Sequence, residues 1–162
     1  MWKYCLKTSL FFILSVSLCL SQLMAITSAA PLLNRSVRVG NSLPGATTTH
    51  QFTFTLGTVG TLGSIEFEYC ENSPFIGTPC TAPSGLNLSA IAISNQTGET
   101  GFTIDASSTS NRILITRAPG ANAAIPVSYT FSNAINQTNP NWPVFVRIST
   151  FSTADGTGPR VD

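Results

Sequence analysis

Cys70 and Cys80 bound the stretch "YCENSPFIGTPC" and are the only cysteines beyond residue 19. Two such thiols can be a redox pair, half of a metal site or a disulfide. A redox pair prefers a C-x-x-C spacing at a helix start, where the thiolate is stabilised. Here nine residues intervene, with Pro74, Gly77 and Pro79 among them. A structural zinc site takes about four ligands. Past residue 29 the chain offers two cysteines and one histidine, His50, in a different segment. The spacing therefore predicts a Cys70–Cys80 disulfide, with a pair of free buried thiols as the alternative. A loop of this size would stabilise a domain by on the order of 3 kcal/mol in the chain-entropy account.

The other reactive side chains are few. Nucleophilic catalysis needs a base beside Ser or Cys. His50 lies in "TTTHQF", just before an apolar alternation, and reads as a surface residue of a turn. Glu66 and Glu68 are two apart and share the polar face of one predicted strand. They read as solvated like charges rather than the carboxylate pair of a glycoside hydrolase. "DASSTSN" (Asp105, Asn111) and "ADGTG" (Asp155) are too sparse for a calcium loop. These residues predict a non-enzyme with no cofactor and no metal site. Recognition is left to aromatic side chains. Phe75 sits inside the predicted stapled loop and Trp142 lies between Pro140 and Pro143. Each has a structural alternative, Trp142 as a plug at the end of the core and Phe75 folded inward. A loop held by a disulfide and prolines is pre-organised, which lowers the entropy cost of binding.

The cysteine reading depends on compartment, and the N-terminus addresses it. Lys3 and Lys7 precede an uncharged, largely apolar run from Ser9 to Met24, and Thr27–Ala30 are small. This is the pattern of a secretory signal peptide, residues 1–29, cut after Ala29. The run is a little short for a spanning helix of about 20 residues, the competing reading. Leu18 before Cys19 argues against a lipid anchor. Export to an oxidising compartment favours pairing of Cys70 with Cys80. Removing 1–29 takes both lysines, leaving six arginines against seven carboxylates and a formal charge near minus one. No basic patch remains for nucleic acid or anionic membrane. The mature chain is predicted to be secreted or held at the cell surface, with no membrane span. In a eukaryotic secretory path Asn34, Asn87, Asn95 and Asn136 would be glycan acceptor sites.

Alternation runs through the rest. Phe52, Phe54 and Leu56 alternate with polar residues, as do Ile65, Phe67 and Tyr69, Val127, Tyr129 and Phe131, and Val144, Val146 and Ile148. A period of two marks half-buried strands. Further strands are predicted at Arg35–Val39, Ser89–Ser94, Gly101–Ile104 and Asn111–Arg117. Segments such as "GTVGTLG", "NQTGET", "APGAN" and "NQTNPNW" read as turns from their Gly, Pro and Asn. About seven to eight short strands predict an all-β fold over residues 30–162, an antiparallel β-sandwich of Ig-like or Greek-key type. "FSTADGTGPRVD" reads as a turn that a closing strand would follow. Either Phe145–Phe151 is the last strand or the chain is a fragment, and the composition leans to the fragment.

The opening "PGATTT", the cysteine-bounded loop followed by "APSGL", and the close "FVRISTF…DGTG" together resemble a group of exported β-rich surface proteins. These occur in ultrasmall, host-associated bacteria with reduced genomes. The resemblance covers Ser36 to Gly158 and implies an envelope role, with chain continuing past the close. The group has no established activity, so no site residue is implied by it. The sequence as a whole predicts a secreted or cell-surface structural or adhesive module. Its partner would be a host or envelope surface component, protein or glycan. The second reading is a carbohydrate-binding module using Trp142 or Phe75.

Overall fold

The computed structural model describes residues 30–162, so the expected signal peptide lies outside the described residues. Eight strands form: β1 (Leu33–Val39), β2 (Thr47–Thr55), β3 (Gly60–Cys70), β4 (Ala92–Thr97), β5 (Thr103–Ile104), β6 (Arg112–Asn122), β7 (Pro126–Ile135) and β8 (Phe145–Phe151). They make two antiparallel four-stranded sheets, ordered β1-β2-β7-β4 and β5-β6-β3-β8. The expected all-β sandwich is the observed fold.

The inward alternation builds the core. Phe52 and Phe54 of β2, Phe67 of β3, and Tyr129 and Phe131 of β7 are fully buried. Phe67 meets Phe52 at 4.7 Å between ring centroids and Phe131 at 5.2 Å, and it also reaches Phe54 and Tyr129. Tilted and edge-to-face pairs of this kind add to the stabilisation from area burial. One end of the core is closed by Leu86, Leu88 and Ile91, from the connection between β3 and β4. Trp142, expected in its alternative reading as a plug, stays outside.

Two predicted turns are strand instead. "GTLG" (Gly60–Gly63) opens β3 and "APGAN" (Ala118–Asn122) closes β6, and the two pair with each other through Gly60↔Asn122 and Leu62↔Gly120. Each is a weak strand alone, and the partner supplies the ladder that local chemistry does not favour. The cost appears as a bulge, with Gly63 of β3 set against Arg117, Ala118 and Pro119 of β6 between the pairs Leu62↔Gly120 and Ser64↔Thr116. Pro119 falls inside that irregular stretch, where no ladder hydrogen bond is required of it. Elsewhere β5 is only Thr103–Ile104, and β4 lies three residues later than expected.

Gly63 has a steric reason. The chain leaving β8 crosses directly above it, and a Cβ there would lie 2.5 Å from the Thr153 carbonyl carbon. The neighbouring Ser64 hydroxyl donates to Thr153 O at 2.7 Å and fixes the crossing. Gly63→Ala is expected to cost about 1–3 kcal/mol through overpacking against main chain. Chemical denaturation of the variant, with an unchanged m-value, checks it.

Candidate functional site

The stapled loop is built on the outer face of the β5-β6-β3-β8 sheet. Cys70 ends β3 and is bonded to Cys80 across a Cα–Cα distance of 5.2 Å. Glu71 N donates to Thr81 O at 2.9 Å, and the Asn72 side chain ties the loop mouth by donating to Pro79 O and accepting from Thr81 N. Glu68, Cys70 and Cys80 group their ligand atoms closely, but both sulfurs are bonded to each other.

Arg147 of β8 holds the loop down. It is 6% exposed. Its Nε and Nη2 donate to Ser73 O at 3.2 and 3.0 Å, and its Nη1 donates to Thr78 O at 2.8 Å and to Glu68 Oε2 at 3.1 Å. The register explains the meeting, because Glu68 and Arg147 are directly opposed in the β3–β8 ladder. A guanidinium suits this task because its planar fork serves several acceptors at once. Arg147 therefore ties the loop down onto the sheet at Ser73 and Thr78. Glu66 and Glu68 are also not free solvated charges. Each is half-buried and paired, Glu66 with Arg112 and Glu68 with Arg147. The register sets Arg112 and Arg147 on either side of Glu68, and Arg112 reaches diagonally to Glu66, so each glutamate has a cation and the like-charge repulsion of the i, i+2 pair is relieved.

The loop tip carries Phe75, 72% exposed, beside the exposed Ile76. Phe75 N donates to Ser73 Oγ, and Thr78 N closes a turn onto Phe75 O. The aromatic is thus turned outward on a tied backbone. Trp142 is 54% exposed on the loop before β8, which Gln137 braces by donating to Trp142 O at 2.9 Å. The Cys70↔Phe145 pairing sets the roots of both loops at the same end of the sheet. No aromatic contact joins Phe75 to Trp142 among the described residues, so they are two separate exposed groups.

His50 is not the surface turn residue its local sequence suggests. It lies within β2 and is 3% exposed. Nε2 is 3.2 Å from Asn136 Oδ1, and Nδ1 is 2.8 Å from the Tyr69 hydroxyl. Asn136 Nδ2 donates to Asn41 O and Leu43 O, which turns its Oδ1 to the imidazole. An oxygen facing Nε2 places the proton there, so Nδ1 accepts from Tyr69. Burial lowers the His50 pKa, partly offset by the Asn136 bond. Asn136 is thereby engaged in the structure rather than offered as a glycan acceptor. Sequence reading missed Arg147 and this His50 trio. His50 carries one sequence signal, its phase with the inward Phe52 and Phe54, whereas Arg147 has the outward phase expected of a polar residue and carries none.

Comparison with protein-family models, with curated proteins and with solved structures finds no match.

Arg147→Leu is expected to cost about 2–3 kcal/mol, because Glu68 and two carbonyls lose charge-assisted bonds. Limited proteolysis should then cut between Ser73 and Pro79 while the disulfide stays intact. A second test concerns pH. The unfolded chain protonates His50 near its ordinary value of 6.5, while the buried ring resists to lower pH. Below that pH the unfolded state binds more protons, so stability falls as pH falls. The melting temperature should drop between pH 7 and 5, with a flatter slope in His50→Gln.

Proposed function

We propose that the protein is an exported, cell-surface adhesive module whose stapled loop presents Phe75 and Ile76 to a protein on a host or envelope surface. The observation that carries this reading is the pairing of an exposed aromatic with a fixed backbone. Large apolar side chains at a loop tip cost solubility, and here disulfide, Asn72 and Arg147 all hold them outward. Such a group loses little conformational entropy on binding. Export rests on the signal-peptide pattern of residues 1–29, and the resemblance to exported β-rich surface proteins supports the same setting. The second reading, a carbohydrate-binding module, draws on the exposure of Trp142, whose indole could stack on a sugar ring.

Labelled protein is incubated with intact cells of the producing culture and with a glycan array. In the adhesive reading Phe75→Ala weakens cell binding by about thirtyfold, the equivalent of a 2 kcal/mol hot spot, and Trp142→Ala leaves it unchanged. Glycan binding lost only in Trp142→Ala establishes the carbohydrate reading in its place.

A further inference from the structure

The two long sides of the sandwich are unlike. At the β4/β5 side the Gln96 amide donates to Phe102 O at 2.8 Å and accepts from Phe102 N at 3.0 Å, copying a strand pair across the sheets. At the other side, among the described strands, β1 pairs only with β2 and β8 only with β3. Between β1 and β8 runs an apolar groove made of two adjoining cavities of about 270 and 260 Å³, which share Val37, Val144 and Val146. Val39 and Ile148 extend its walls. Val37 lies opposite the core residue Phe52 in the ladder, yet it is 50% exposed. An inward-facing position has been left without cover.

The main chain at this edge is equally incomplete. Val161 N donates to Thr150 O at 3.0 Å, and Arg160 bridges antiparallel to Phe151. Thr150 therefore turns its backbone groups outward. In a strand the residues two and four back, Ile148 and Val146, turn the same way. Neither has a main-chain partner on that side among the described residues. Two rungs of β8 thus stand open above an apolar floor. Gln137 Oε1, in the groove wall, is buried without a hydrogen-bond partner among the described residues. Arg35 stands at the Ile148 end, and among the described residues it makes no ion pair and no carboxylate lines either cavity.

We propose that this groove binds an extended segment of a second polypeptide, added as a strand antiparallel to β8. The segment has apolar side chains at alternate positions and a carboxylate at its N-terminal end, facing Arg35. Main-chain bonds to Val146 and Ile148 supply affinity, and the alternate side chains covering Val37 and Val39 supply selectivity. Backbone is already the group this edge accepts, as Arg160 and Val161 show. A second copy is a poor donor: its edge strand β1 carries Arg35 and Arg38 and would set like charges together, and its open edge β8 has no carboxylate to face Arg35.

The probe is a synthetic peptide in which valine alternates with threonine after an N-terminal aspartate. Amide hydrogen exchange is followed by NMR. Saturable protection of Val146 and Ile148 is expected. It should be lost in Val37→Glu with the melting temperature unchanged, and weakened about tenfold when the aspartate is replaced by lysine. Arg35→Glu should reverse that charge preference. Absence of protection at millimolar peptide overturns the proposal, as does equal binding by Val37→Glu. Concentration-dependent protection in the protein alone would assign the groove to a second copy. Protection only when the same peptide is appended after Asp162 would assign it to a strand in cis.

Discussion

The sandwich hangs on one side chain in the middle of one strand. Phe67 projects from β3 into the aromatics of β2 and β7, and through them the two sheets are docked. Its contacts reach Phe52, Phe54, Tyr129 and Phe131, each fully buried. Because the core is centred there, β3 and β2 must face each other. The neighbours β6, β8, β7 and β1 then fall into place by pairing. The position of every loop follows from this central alignment.

The same strand organises the polar side. Residues that alternate with Phe67 point outward, and these are Glu66 and Glu68. The flanking strands answer them with Arg112 and Arg147. Arg147 is the more consequential partner, since it also binds two carbonyls of the disulfide loop. Core packing thereby controls the surface. Fixing Phe67 inward fixes Glu68 outward, which orients Arg147, which seats the loop carrying Phe75. A rigid presentation of an exposed aromatic is a consequence of strand register rather than of the disulfide alone.

The edges give the molecule its asymmetry. One side is sealed by Gln96 and Phe102 and by the Arg117–Glu99 pair, with Arg117 also lying 4.6 Å over the Phe102 ring. The other side leaves β1 exposed along its whole length and β8 with open rungs. Unpaired edges invite further strands unless blunted. Arg35 and Arg38 on β1 are the blunting residues available in a stretch without lysine. They discourage pairing with another copy while leaving the apolar floor available to a segment of opposite charge.

Much of this was legible in the chain. Phe52, Phe54, Phe67, Tyr129 and Phe131 announce their burial because side chains in a strand alternate with period two, a strictly local rule. The Cys70–Cys80 bond was readable because few other partners exist. Other features were hidden for a physical reason. "GTLG" and "APGAN" look like turns until each meets the other. His50 looks exposed until Asn136, 86 residues away, supplies an acceptor. Glu68 looks solvated until β8 sets Arg147 opposite it. Outside these segments, local composition decided which residues face inward and which elements are strands. Only the tertiary structure decided which strands are neighbours, because long-range pairing depends on register between distant segments. From that came the partners of the buried His50 and Arg147, the seat of the stapled loop, and the side of the sandwich left open.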